Sequence, residues 1–254
     1  MVRTESLRLD PRTPDQPFAL RTPDWSFAPR TVVPSLRRLS HLEMRIDIWS
    51  DIVCPWCYLG KRRLEKALAG FDRRDEVQIA HRSFQLDPAR QRGETTGRRE
   101  MLMKKYRLSE DQVRDMDRKM ETMAAAEGLE YHLTDAGLTG NTLDAHQLVH
   151  LAGAHGAGDK MIERLYRAYF TEQRSVFDLD SLAALAAEED LDVTEVREAL
   201  AANRYVDAVT RDLSEARALG VSGVPFFVID RRYGISGAQA TEIFSRALVL
   251  AAAS

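Results

Sequence analysis

The chain's only two cysteines stand two residues apart in Cys54-Pro55-Trp56-Cys57, directly after the apolar run Ile46, Ile48, Trp49, Ile52 and Val53. Cysteines this close cannot cross-link distant parts of a fold, so they give no disulfide framework of the kind that staples small secreted domains. A period-two run that empties into C-x-x-C and then into helical spacing predicts a strand, a tight loop and a helix, with Cys54 at the helix N-terminus. Backbone N–H groups without helical partners and the positive end of the helix dipole favour a thiolate there. Pro55 fits the first helical position, where its missing N–H costs nothing. The motif therefore reads as a redox pair. A structural zinc needs about four ligands, and with no second cysteine pair no metal is expected.

The 254 residues, 44% apolar and 30% charged, suffice for a large core, as one big domain or two small ones. A net charge of −3 with interspersed signs offers no basic stripe for nucleic acid. No apolar run reaches the roughly 20 residues a bilayer requires, so no membrane partner is expected either. Six of the nine prolines (Pro11, Pro14, Pro17, Pro23, Pro29, Pro34) fall in the first 43 residues, which can sustain neither a helix nor a central strand. This stretch lacks the apolar centre of a secretory signal and carries acids that an Arg-rich targeting peptide avoids. Residues 1–43 are read as a disordered N-terminal extension, with Met44 as the start of the folded unit. Deleting them is expected to leave the melting temperature and disulfide-reducing activity nearly unchanged; a drop of several degrees would show that Phe18, Trp25 or Phe27 packs on the body.

Alternation predicts a strand over 45–53, with Asp47 opposite Ile46 and Ile48, then a helix ending at Gly70 and a second strand over 77–84. Strands separated by one helix make a βαβ unit, hence a parallel pair. From about 98 to 219 the spacing is helical, with a capping box at Ser109 to Gln112, N-caps at Asn141 and Asp178, and stops at Gly128 and Gly156. The last segment predicts a strand over 226–229, a turn over 230–232, a strand over 233–236 and a terminal helix over 238–250. The fold class is α/β: a β-α-β half and a β-β-α half flanking a long helical insertion.

C-x-x-C after the first strand of a βαβ unit, with Val224-Pro225 opening a later strand, resembles the thioredoxin fold, and the inserted helices resemble its DsbA branch. The stretches IDIWSDIVCPWCYLG (46–60), NTLDAHQL (141–148), YFTE (169–172) and GVSGVPFF (220–227) look like the FrnE-like group of DsbA-type dithiol oxidoreductases. The resemblance covers residues 44–250. It implies a thioredoxin-like domain over 44–97 and 220–254 and an inserted all-helical domain over 98–219.

The resemblance assigns Cys54 as the exposed nucleophile and Cys57 as the buried resolving thiol. Trp56, between them, would tune the thiol–disulfide balance and touch clients, or else pack on the insertion. Pro225 would be a cis-proline facing the active-site sulfur beside Val224; read alone it simply opens a strand. Asp51 and Asp47 are candidates for proton transfer to and from the thiols, Asp47 with the alternative of a solvated strand residue. His146 and His150 share a helix face, where a structural pairing is the simpler reading, while Asn141 and His146 match the family pattern and would line the cleft between insertion and thioredoxin half. Lys61, Arg62 and Arg63 are expected on a solvated helix face, adding at most modest thiolate stabilisation. The implied function is thiol–disulfide exchange with protein or small-thiol substrates in the cytoplasm, reducing or isomerising, with no bound cofactor and glutathione as candidate co-substrate. Two alternatives stand beside it. Glutathione-dependent isomerases resembling 2-hydroxychromene-2-carboxylate isomerase share the fold but typically carry serine where Cys54 stands, and a redox-regulated chaperone would use the cleft rather than turnover.

Overall fold

A computed structural model describes residues 44–133 and 137–253; the expectation for residues 1–43 lies outside the described residues. The first strand, β1 (Met44–Ser50), runs into the Cys54 loop and helix α1 (Pro55–Ala69), and β2 (Val77–Ser83) returns parallel to β1. Near the C-terminus β5 (Phe226–Ile229) and β6 (Tyr233–Ser236) form a hairpin, followed by α9 (Thr241–Ala252). The four strands make one mixed sheet in the order β2-β1-β5-β6, with β5 antiparallel to β1. This is the thioredoxin topology with a helical insertion.

The sheet is covered on both faces, which explains why β1 is buried along nearly its whole length instead of alternating. Ile46, Ile48, Phe227 and Ile229 face a core shared with α1 and α9, where Phe227 and Phe244 meet edge to face at 4.8 Å. Trp49 and Val228 face the other way, onto Ala216 and Val221. Asp47 also points to that side. It is buried there, and accepts hydrogen bonds from Arg45 and from Arg82, whose Nη1 donates in turn to Asp212 at 3.0 Å. The alternative of a solvated strand residue does not hold for Asp47: it is a buried member of an ion network, because the helix carrying Asp212 closes over it.

Between β2 and β5 lie α2 (Arg98–Tyr106), α3 (Glu110–Ala126), α4 (Leu143–Ala154), α5 (Gly158–Phe170), α6 (Leu179–Ala187), α7 (Val193–Ala201) and α8 (Val206–Ala218). The Ser109–Gln112 capping box forms in both directions, and the Asp178 carboxylate caps α6. Asn141 sits one residue ahead of the N-cap Thr142, its Oδ1 accepting from the Leu143 N–H. One feature breaks the helical run: β3 (Thr95–Gly97) pairs with β4 (Leu138–Gly140) as a two-stranded ribbon. Three-residue strands are too short to leave a period in the sequence.

The basic residues after the motif are not on a solvated face. Lys61 is 4% exposed and pairs with Glu65, with Glu163 (2.9 Å) and with Asp159 (3.4 Å). Arg62 joins Glu163, and Arg63 joins Glu127 at the end of α3. All three clamp α1 to the insertion, and their charges are matched by carboxylates. The hydrogen bond from His81, followed by the Lys61 charge, holds the Asp159 carboxyl down at about 2. Burial alone would raise Glu163, but Lys61, Tyr58 and Arg62 bring it below its usual value. Because both folded values lie below the unfolded ones, the stability they contribute is complete above about pH 4.5 and is lost as pH falls toward 2. The urea midpoint should therefore decline across that acid window, and Asp159→Asn should flatten the decline. An unchanged acid limb in the variant would remove Asp159 from the account.

Candidate active site

The backbone turns at Cys54, whose N–H donates to the Asp51 carbonyl at 3.1 Å and whose own carbonyl accepts from the Cys57 N–H at 2.9 Å. Cys54 is thereby the N-cap of α1, in extended conformation, with Pro55 at the first helical position. No side chain caps this end and the first turn holds no acid, so the positive end of the helix is left to the Cys54 sulfur. Both cysteines are free thiols. Cys57, 2% exposed, lies in the first turn of α1 on its buried face. Burial, and then its neighbour Cys54, push its thiol well above the ordinary value.

Cys54 is less open than expected of an exposed nucleophile, at 4%. Its Sγ donates to the Val224 carbonyl at 3.6 Å, so the loop before β5 lies against the sulfur. The Val224–Pro225 bond is cis. Gly60 makes this approach possible: a Cβ there would stand 3.0 Å from Pro225 Cγ and 3.1 Å from the Phe227 ring. What remains open to Cys54 is a cavity of about 500 Å³ between the motif and α3, which Trp56, Val224 and Asp51 also line. Trp56 is 43% exposed and so is not packed into the insertion.

Asp51 sits on the cavity wall at 1% exposure; its Oδ2 accepts from the Leu86 N–H at 2.7 Å and its Oδ1 lies 3.3 Å from His146 Nε2. The same His146 nitrogen lies 2.9 Å from the Phe84 carbonyl. His146 thus stands behind Asp51, in the seam between α4 and the sheet, and not on the cavity wall. Asn141 is a loop brace, its Nδ2 donating to the Arg90 carbonyl at 2.6 Å and its Oδ1 accepting from Gln85. His150 belongs to a separate cluster with Ser83 and Asp212. Asp47 keeps to the Arg82 network and is not among the residues of the cavity. The structure brings Cys54, Trp56, Asp51 and Val224 together, with Cys57 and His146 behind them.

The insertion reaches the motif through residues that the sequence reading gave no role. The Tyr131 hydroxyl donates to the Pro55 carbonyl at 2.8 Å, inside the C-x-x-C turn. Tyr131 stacks on Tyr58 and on Phe170, and Tyr58 stacks on Tyr166 at 4.9 Å. A side chain from the helical half thus fixes the backbone between the two cysteines. Among the described residues no group of three or more His, Cys, Asp or Glu is placed to hold a metal, and no helix is long and apolar enough to cross a membrane.

Residues 45–249 match the family model described as a DSBA-like thioredoxin domain. The probable DsbA oxidoreductase of Streptomyces coelicolor is 47% identical over 83% of this chain and 91% of that one, with a TM-score of 0.80. The Bacillus subtilis (strain 168) protein YwbO is 26% identical over 82% of this chain and 96% of its own length. The cytosolic disulfide reductase DsbM of Pseudomonas aeruginosa, in its structure with GSH, covers 83% of this chain and 100% of that one at 18% identity, with a TM-score of 0.59, a likeness of fold. The family model spans residues 45–249, nearly all of the described residues, and the chain belongs to the DSBA-like thioredoxin domain family.

Proposed function

We propose that the protein is a thiol–disulfide oxidoreductase of the FrnE-like group that works through the Cys54, Cys57 pair, reducing or isomerising disulfides in a reducing cytoplasm. The observation that carries this reading is the asymmetry of the two sulfurs. Cys54 borders the cavity at a helix N-terminus, while Cys57 is buried in the first turn of that helix with its proton held tightly. One sulfur is reachable by a disulfide and the other only by the mixed disulfide that the first one forms. Asp51, a buried carboxylate on the same wall, is the candidate to accept a thiol proton, with His146 as its positioning residue; Asp47, held in its own ion network, is a weaker candidate for that role. Val224 and Trp56 would contact the substrate, and Asn141 would act through the loop it braces.

Protein disulfides and small-thiol disulfides are the proposed substrates, and glutathione is the proposed reductant, the thiol named with the Pseudomonas reductase. The test is insulin reduction driven by glutathione, together with the reduction potential of the pair set against glutathione redox buffers. A potential well below that of DsbA, about −120 mV, and activity that needs both cysteines are expected. A potential near −120 mV would make the protein an oxidant and reverse the proposed direction. Isomerisation of an aromatic substrate with glutathione that ignores Cys57→Ser would place the chain with the isomerases instead. Suppression of client aggregation by the double Cys→Ser variant, without any exchange activity, would make it a chaperone.

A further inference from the structure

The cavity beside Cys54 is an uneven environment. Four methionines, Met101, Met116, Met120 and Met123, line it from α2 and α3, an adaptable apolar surface with no fixed shape preference. Its charges are mostly spoken for. Arg90 pairs with Asp87, Arg98 pairs through two bonds with the buried Asp117, and Asp51 is held by the Leu86 N–H and His146. Lys105 and Lys119 are left over. Both are exposed residues that border the cavity, and neither has an ion-pair partner among the described residues; Lys105 Nζ lies 5.8 Å from the Tyr106 ring centre. Two uncompensated cations beside an apolar wall complement an anion that carries an apolar body. The volume, about 500 Å³, suits a single small ligand.

Building on the dithiol reading above, we infer that the cavity selects low-molecular-weight disulfides that combine an aromatic or alkyl body with a carboxylate. The body lies among the methionines, the carboxylate meets Lys105 and Lys119, and the disulfide reaches Cys54. The Cys54 thiolate attacks one substrate sulfur, the substrate S–S bond breaks, and the first substrate thiolate leaves. Cys57, after losing its proton, attacks Cys54 in the mixed disulfide and expels the second thiolate. The substrate gains two electrons and becomes two thiols, the Cys54–Cys57 pair is oxidised to a disulfide, and glutathione or another thiol reductant restores it.

The test uses the full reduced protein and three disulfides in stopped flow. 5,5′-dithiobis(2-nitrobenzoate) is aromatic and carboxylated, 2,2′-dithiodipyridine is aromatic and uncharged, and oxidised glutathione is charged without an apolar body. Each rate is divided by that of the same disulfide with free N-acetylcysteine. The carboxylated aromatic disulfide should show saturation and a normalised rate about tenfold or more above each of the other two, the scale of one well-placed charge contact. The double variant Lys105→Glu, Lys119→Glu should lower its normalised rate relative to dithiodipyridine by at least about tenfold. Strictly linear concentration dependence, or a preference that survives the double variant, would overturn the inference while leaving the dithiol reading intact. A wild-type protein in which Cys54 reacts with none of the three would instead overturn the dithiol reading itself.

Discussion

Cys54→Ser should be inert in disulfide exchange, whereas Cys57→Ser should attack substrates and accumulate covalent adducts that vanish on adding reductant. The expectation follows from where the two sulfurs lie. Exchange begins with the thiolate that a disulfide can reach, and only Cys54 borders the cavity. Cys57 is buried and its thiol is pushed well above its ordinary value, so it stays protonated until the mixed disulfide forms next to it. Alkylation of the reduced protein near neutral pH should modify Cys54 first, with Cys57 lagging by at least about tenfold, since Cys57 does not border the cavity and burial holds its thiol protonated. Mass spectrometry of partly alkylated protein reads the order directly. Faster alkylation of Cys57, or activity that persists in both serine variants without any trapped adduct, would end the dithiol mechanism.

What the sequence makes legible here is the local strand–turn–helix that puts Cys54 at a helix N-terminus; the roles of the two thiols come from the family resemblance, and Cys54 is less open than that resemblance implies. Cys54, Pro55 and Cys57 lie within one helical turn, and the helix that orders them announces itself through Leu59, Leu64 and Ala67, all buried in the structure. The hairpin over 226–236 was legible for the same reason, its strands lying three residues apart. Asp51 was placed in the active-site loop by proximity to Cys54, but its partner His146 is 95 residues away, and no spacing rule joins them. The solvated alternative for Asp47 and the solvated face expected for Lys61 fail in the same direction. Each sits on an element face that pattern alone leaves to solvent, and each is covered by the insertion, Asp47 by the helix carrying Asp212 and Lys61 by the helix carrying Glu163. A charged residue buried by a distant segment looks in sequence like a charged residue in water. Only the partner distinguishes them.

The contact that the sequence concealed most fully is also the one with the largest structural consequence. Phe170 has no exposed surface and stands at the centre of an aromatic group, stacked on Tyr131 at 4.9 Å, edge to face with Tyr169 at 4.8 Å, and 6.2 Å from both Tyr58 and Tyr166. The group contains one ring from the motif helix, Tyr58, and several from the insertion, so it is the apolar joint between the two halves. Phe170→Ala removes a fully buried ring from a site whose neighbours are themselves rigid rings and close poorly around a void. A cost of about 3–5 kcal/mol is expected, a fall in melting temperature of roughly 6–20 °C for a domain of this size. Phe170→Leu keeps most of the volume and should cost well under half as much. The loss should also reach the active site. Tyr131 loses one of the two rings it stacks on and keeps only Tyr58, and its hydroxyl is what holds the Pro55 carbonyl between the cysteines, so substrate-adduct formation at Cys54 should slow in the alanine variant at temperatures where it is still folded. Thermal denaturation and adduct kinetics on the same preparation separate the two effects. A melting temperature within about 2 °C of wild type would show that the two halves are held together by the Lys61, Glu163 and Arg63, Glu127 ion pairs and not by the aromatic joint.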